Sequence, residues 1–124
     1  MTQLISHDII SECRSKLLKM KEDLLNRARH MRKEFATYEK NTGDEIDQTV
    51  AQLAENNFLA TQDRIRFQLM EIEFALARIQ SGQFGICEET DEPIEAQRLL
   101  TLPYTRLSIE GAEIREATKR KFAR

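Results

Sequence analysis

Tryptophan is absent from this chain, and two prolines and four glycines are spread through 124 residues. So few breakers argue against a turn-rich sheet protein and for long, solvated helix, with one domain as the default at this length. Two cysteines, Cys13 and Cys87, cannot build a disulfide framework, and a reducing cytoplasm is the expected compartment. No apolar run approaches the roughly 20 residues of a membrane span, and no signal peptide is visible, so no membrane association is expected. The only histidines, His7 and His30, lie on one predicted helix about six turns apart at ~3.6 residues per turn and cannot share a metal. No nucleophile–base pair and no glycine-rich phosphate loop is present, so the chain is not expected to be an enzyme.

Charge is scarce in sum but strongly segregated. The net charge of −2 gives no general pull toward nucleic acid. Residues 12–40 hold nine Lys/Arg against five Asp/Glu, whereas residues 41–63 hold five acids and no Lys/Arg. Residues 88–95 hold five acids, and the last ten residues hold five Lys/Arg. Such blocks suit electrostatic matching to one partner as well as plain solvated faces.

Residues 7–38 contain neither Gly nor Pro. Apolar side chains recur every three or four positions, from Ile10, Cys13 and Leu17 through Leu24 and Ala28 to Met31 and Phe35. That spacing predicts one heptad-like helix roughly 48 Å long, with Ser6 as a possible cap and Asp8 in its first turn. Asn41, Thr42 and Gly43 supply turn chemistry, and a second seam runs through Ile46, Val50, Ala54, Phe58, Thr61, Ile65, Leu69, Ile72, Leu76 and Ile79 to a stop at Gly82. Two rods of similar length joined by a short turn predict an antiparallel coiled-coil hairpin.

Beyond Ile65 the second rod carries another apolar stripe, Phe67, Met70, Phe74 and Ala77. This predicts that the base of the hairpin is covered by the chain start (Leu4, Ile5, Ile9) and by a C-terminal helix over about 109–122, through Ile109, Ile114 and Phe122. At the hairpin tip stand Asp44, Glu45 and Asp47. Acids there favour a helix N-terminus, and Asp44 or Asp47 could be its cap; equally, a rod tipped with carboxylates could probe a basic or metal-bearing site in a partner.

The segment "GQFGICEETDEPIEAQRLLTLPYTRLSIEG" opens like a four-cysteine zinc knuckle and then departs from it. The four ligand positions hold Cys87, Thr90, Ser108 and Gly111. One thiol, two hydroxyls and a glycine are not a zinc donor set, so no structural zinc is expected, and the loop must be held by packing of residues such as Ile86, Ile94, Leu99, Leu102 and Leu107. The predicted fold is therefore mainly all-α. The N-terminal segment and hairpin take residues 1–81 (helices about 7–38 and 47–81, tip about 39–47). A degenerate zinc-finger-like region takes 82–108, and a C-terminal helix 109–124.

Long hairpin, tip "DEIDQT" and knuckle together resemble the DksA/TraR family of bacterial transcription regulators over most of the chain. Asp44 and Asp47 match the family's Asp-x-x-Asp-x-Ala tip, with Thr49 in place of Ala. Phe84, Gly85, Cys87, Ile94, Arg98, Leu99, Pro103 and Ala112–Arg115 match its finger block. The resemblance implies a partner, bacterial RNA polymerase, entered through its secondary channel so that the tip alters open-complex stability at promoters, including those of ribosomal RNA. It implies no sequence-specific DNA binding, and a monomer is expected. It marks Asp44, Asp47 and Thr49 as tip residues and Arg64 as a candidate polymerase contact. Family members use cations for the alarmone ppGpp where this chain has Glu71, Leu102 and Ala112, so ppGpp is not expected to bind. A GreA-like transcript-cleavage or anti-backtracking factor and a plain coiled-coil adaptor are the rival readings.

Overall fold

A computed structural model describes residues 5–41 and 47–122. Four helices follow one another: α1 (His7–Asn41), α2 (Gln48–Ser81), α3 (Ala96–Thr101) and α4 (Ile109–Phe122). Among the described residues there is no strand, and Ile86 and Pro93 form an isolated antiparallel bridge. The fold is thus mainly α-helical, as the spacing predicts. Helix α1 runs three residues past its expected end, and α3 lies where the sequence reading gives no helix. The chain divides into two compact units: Met20–Met70, and a second made of the residues up to Lys19 and from Glu71 onward.

The helix ends follow from local chemistry. Ser6 caps α1: its Oγ accepts from the Asp8 N–H at 3.2 Å and its carbonyl accepts from Ile10 N–H at 3.1 Å. Helix α2 ends at Gly82, whose φ of 78° carries the chain into the left-handed region. Gln83 N–H then bonds back to the Arg78 carbonyl at 2.9 Å and Gly82 N–H to that of Ile79 at 3.3 Å, a Schellman closure. Helix α3 stops because Pro103 follows Leu102. The ammonium of Lys16 donates to the free Leu100 carbonyl at this end, at 2.8 Å.

In the Met20–Met70 unit, α1 and α2 pair antiparallel. Phe35 stacks on Phe58 with ring centroids 4.3 Å apart, and further along the pair Gln62 Nε2 donates to the Ala28 carbonyl at 3.4 Å. Ala28 and Ile65 are buried, and Gln62 is buried with them. The spacing places Thr61 in the seam, but its neighbour Gln62 is the buried residue there and Thr61 is half-buried. Val50, expected in the seam, is exposed.

The other unit has its own core. Cys13, Leu17, Ala75 and Leu99 lose all solvent exposure, and Ile72, Phe84, Ile94 and Pro103 lose nearly all of it. Leu99 of α3 is the plug, and the Cys13 thiol donates to its carbonyl at 3.4 Å. Burial pushes the Cys13 thiol up, in keeping with a neutral core side chain. Each such aliphatic side chain contributes about 1.5–3 kcal/mol by leaving water. Gly85, with φ of 87°, lets the chain pass close under Ile5: a Cβ there would meet Ile5 Cγ1 at 2.5 Å.

Two expectations about covering fail. The stripe of Phe67, Met70 and Phe74 remains about half exposed (58, 46 and 45%), and Ala77 is exposed with it. Ile109, Ile114 and Phe122 of α4 are exposed as well, so they do not form the core assigned to them. The reason is that α4 is held by polar contacts and a close glycine approach rather than by an apolar face, while Ile72 and Ala75 take the buried side of α2. Phe74 is covered in part by the Arg106 guanidinium, 5.0 Å from its ring centre. Leu4 lies outside the described residues; Ile5 is buried as expected.

Leu99→Ala should therefore cost about 2–5 kcal/mol of unfolding free energy, because the plug leaves a cavity. Phe67→Ala should stay within about 0.5 kcal/mol of wild type. Urea denaturation of the two variants followed by circular dichroism checks both.

Candidate functional site

The knuckle folds around one sulfur. Residues 85–94 form a tight loop in which Cys87 N–H bonds to Glu92 O (2.8 Å), Ile94 N–H to Gly85 O (2.7 Å) and Asp91 N–H to Cys87 O (2.9 Å). Asp91 takes the turn in the left-handed region, with φ of 58°. The return segment is tied to this loop by Glu88 N–H to Arg106 O at 2.9 Å. Arg98 on α3 spans the ends of the segment by donating Nε–H to Leu107 O at 2.7 Å.

Cys87, Thr90, Ser108 and Gly111 converge, although the sequence places them in two separate pairs. Cys87 is fully buried, and Ser108 and Gly111 are buried with it. Ser108 Oγ accepts from Gly111 N–H at 3.0 Å and its carbonyl accepts from Ala112 N–H at 2.8 Å, so Ser108 is the N-cap of α4. The Glu95 carboxylate accepts from Ile109 N–H at 3.3 Å at the same helix start. Thr90 Oγ1 accepts from Glu92 N–H at 3.2 Å. Both hydroxyls lie close enough to the Cys87 sulfur to act on its charge. Burial pushes the Cys87 thiol up, but these hydroxyls and the backbone N–H groups of the same two residues outweigh it and bring the thiol down to about 6.

An ion-pair chain surrounds this centre. The Arg106 guanidinium forks onto Glu71, with Nε to Oε2 at 3.1 Å and Nη2 to Oε1 at 3.4 Å, and reaches Glu88 at 3.5 Å. Arg115 of α4 joins Glu88 (3.8 Å) and Glu89 (3.0 Å). Glu71 is thus half-buried and committed to Arg106. Leu102 and Ala112 are half-buried apolar neighbours in the same unit. Arg78 donates to the Tyr104 carbonyl at 3.3 Å; burial first, and Arg106 second, push its guanidinium downward.

At the start of α2, Asp47 is exposed and acts as the cap. Its Oδ1 accepts from Thr49 N–H at 2.9 Å and its carbonyl accepts from Ala51 N–H at 3.0 Å. Thr49 is exposed beside it, while Asp44 and Glu45 lie outside the described residues. Arg64, on the exposed side of α2, donates to Thr61 Oγ1 at 3.0 Å.

The sequence of this site has relatives. Residues 82–117 match the prokaryotic dksA/traR C4-type zinc finger. Over 107 residues the chain is 34% identical to the RNA polymerase-binding transcription factor DksA of Caulobacter vibrioides, covering 86% of this chain and 75% of that protein. It is 30% identical over 100 residues to the uncharacterized protein YlyA of Bacillus subtilis, covering 81% and 73%. Among solved structures, transcription factor DksA2 from Pseudomonas aeruginosa superposes with a TM-score of 0.83 at 30% identity, over 93% of this chain and 88% of that one. A helical hairpin with a finger-like knuckle between its base and a last helix defines a class of transcription-factor fold. The chain belongs to the DksA/TraR family.

The family's finger is of a four-cysteine type, and the residues here do not fit its metal. The donor set is one thiol and two hydroxyls already engaged as hydrogen-bond acceptors, and Gly111 brings no ligand atom. A Cβ built at Gly111 would collide with Cys87 Sγ, so the sulfur occupies the room a fourth ligand would need. Among the described residues, no group of three or more His, Cys, Asp or Glu is placed to hold a metal ion. The pair of hydroxyls at the ligand positions is the sequence signal for the local turn and cap, where they accept from Glu92 and Gly111 N–H. The Glu71–Arg106 fork had no sequence signal, since 35 positions separate the partners.

The lowered thiol gives a pH signature. In the unfolded chain Cys87 titrates near its ordinary value of about 8.5, and in the folded chain near 6. Between these values the unfolded state binds more protons, so stability rises with pH. The contribution is complete above about 8.5 and is lost as pH falls through 6; it amounts to a few kcal/mol at most. Denaturation midpoints of wild type should climb from pH 6 to 8.5, and those of Cys87→Ser should lack that part of the slope.

Proposed function

We propose that this chain is a regulator of bacterial RNA polymerase that enters the secondary channel and modulates open-complex stability through its hairpin tip, ribosomal RNA promoters included. The observation that carries the reading is the 34% identity, along 86% of the chain, to a relative named for binding RNA polymerase. The likeness to the DksA2 structure supports the same reading. So does an exposed carboxylate, Asp47, at the start of α2 where the family places its acidic tip. Asp44, Asp47 and Thr49 form the effector end, and Arg64 is offered to the polymerase from an exposed face of α2. The protein acts as a binding factor rather than an enzyme, without sequence-specific DNA contacts.

In this reading the knuckle works without zinc. Its stability comes from the Leu99 plug, the Ser108 and Thr90 hydrogen bonds and the Arg106 and Arg115 ion pairs. Regulation is also independent of ppGpp. Glu71 replaces a family cation, and its fork neutralises Arg106, so the surface offers little to a highly charged anion.

Asp47→Asn tests the tip. Asn caps a helix as well as Asp, so folding should change by no more than about 0.5 kcal/mol. Polymerase affinity should stay near wild type, while the effect on open-complex lifetime at a ribosomal RNA promoter should fall sharply; Asp44→Asn should act in the same direction. Full regulatory activity in both variants would remove the effector role. The zinc-free reading is checked by prolonged treatment with a strong chelator, after which the thermal midpoint and helical circular dichroism should be unchanged.

A further inference from the structure

The Met20–Met70 unit carries a groove that neither the tip nor the knuckle uses. It encloses about 140 Å³ between α1 and α2. It is lined by the apolar side chains of Leu25, Ala28, Ile65 and Leu69, by the Gln62 amide and by three guanidinium groups, Arg29, Arg32 and Arg66. All three arginines are exposed, and Leu25 is 38% exposed, so the groove is open to a visitor. Arg66 donates one bond to Asp63 at 2.9 Å, and Arg29 donates one to Asn26. A guanidinium has five N–H donors, so one such bond leaves further donors on Arg29 and Arg66, although the Arg66–Asp63 contact is also an ion pair.

The same face continues onto open apolar surface. Met70 lies one turn beyond Arg66 on α2 and is about half exposed. The groove also lies in the stretch where α1 carries nine Lys/Arg against five acids over residues 12–40.

We propose that this groove is a docking surface for an acidic polypeptide segment of RNA polymerase, one that inserts a single apolar side chain over Leu25, Ile65 and Leu69 and places flanking carboxylates on Arg29, Arg32 and Arg66. The proposal rests on the polymerase reading above. Charge and shape select this occupant. Three forked guanidiniums match carboxylates, and a volume of about 140 Å³ suits one aliphatic or methionine side chain. A nucleic-acid strand fits worse. The lining offers aliphatic side chains in place of the aromatic stacking platforms that bases use, and the chain as a whole is acidic.

The test uses the full chain, labelled at its N-terminus, and core RNA polymerase in fluorescence anisotropy. Arg32→Glu/Arg66→Glu should weaken binding at least tenfold at about 0.1 M salt, with the gap shrinking as salt rises. Leu25→Ser should weaken binding at least threefold at every salt concentration. The control Lys119→Glu/Lys121→Glu, with the same charge change on exposed α4, should shift binding less than threefold. Circular dichroism verifies that each variant is folded. Equal losses for groove and control variants, or no loss for the groove variants, would overturn the proposal while leaving polymerase binding intact. A wild-type chain that does not bind polymerase at all would instead overturn the underlying reading, and this one with it.

A second arm identifies the occupant. In the double variant Arg32→Lys/Arg66→Lys, the introduced amines can be joined to touching carboxylates by a carbodiimide. Links from positions 32 and 66 to Asp or Glu of a polymerase subunit support the proposal. Links to a second copy of the chain, or displacement of the groove contact by a single-stranded oligonucleotide, refute it.

Discussion

One buried sulfur sets the constraint that the region from Gly85 to Gly111 must satisfy. Cys87 has no metal-binding partners among the described residues, yet it sits at a point where two loop segments and the start of α4 meet. A sulfur in that position must be hydrogen-bonded or packed, and here it is packed. Ser108 and Thr90 each use one hydroxyl for two tasks: accepting a backbone N–H that shapes the local turn or cap, and lowering the thiol beside it. The absence of a side chain at Gly111 is what lets α4 start this close to Cys87. The two segments are also joined by the Glu88 N–H to Arg106 carbonyl bond, and Leu99 and Ile94 are buried in the same unit.

The long-range frame was legible because it is periodic. Apolar steps of three and four specified both long helices, and Ser6 and Gly82 marked ends that the backbone hydrogen bonds bear out. What escaped was non-periodic or non-local. Helix α3 is a single six-residue stretch, too short to show a repeat. Gln62 fills a seam position with an amide, which a hydrophobic pattern skips. Arg106 finds Glu71 across 35 positions. The stripe of Phe67, Met70 and Phe74 was legible as apolar, but the inference that the chain itself covers it was wrong. Periodicity reveals that a face wants a partner and is silent on whether the partner is in the same chain.

That distinction matters for reading the remaining surface. Exposed aromatic and methionine side chains on α2 are costly to leave in water, and a chain of this size rarely keeps large contiguous ones without use. Arg106 shields Phe74 from one side while its charge is held by Glu71 and Glu88. The same guanidinium therefore serves as lid for an aromatic ring and as a tie between α2 and the knuckle loop, which concentrates several weak interactions on one residue. Surface pairs are individually worth little, but members of a connected set restrain one another's side chains.

The amide of Gln62 has a consequence of another kind. Coiled coils with uniformly apolar seams can slide by a heptad at small cost, since one leucine replaces another. An amide bonded to the Ala28 carbonyl has one register in which it is satisfied. Any slip strands a buried polar group, at a penalty of about 1–3 kcal/mol. Gln62 therefore acts as a detent: it fixes which residues of α1 and α2 stand opposite one another.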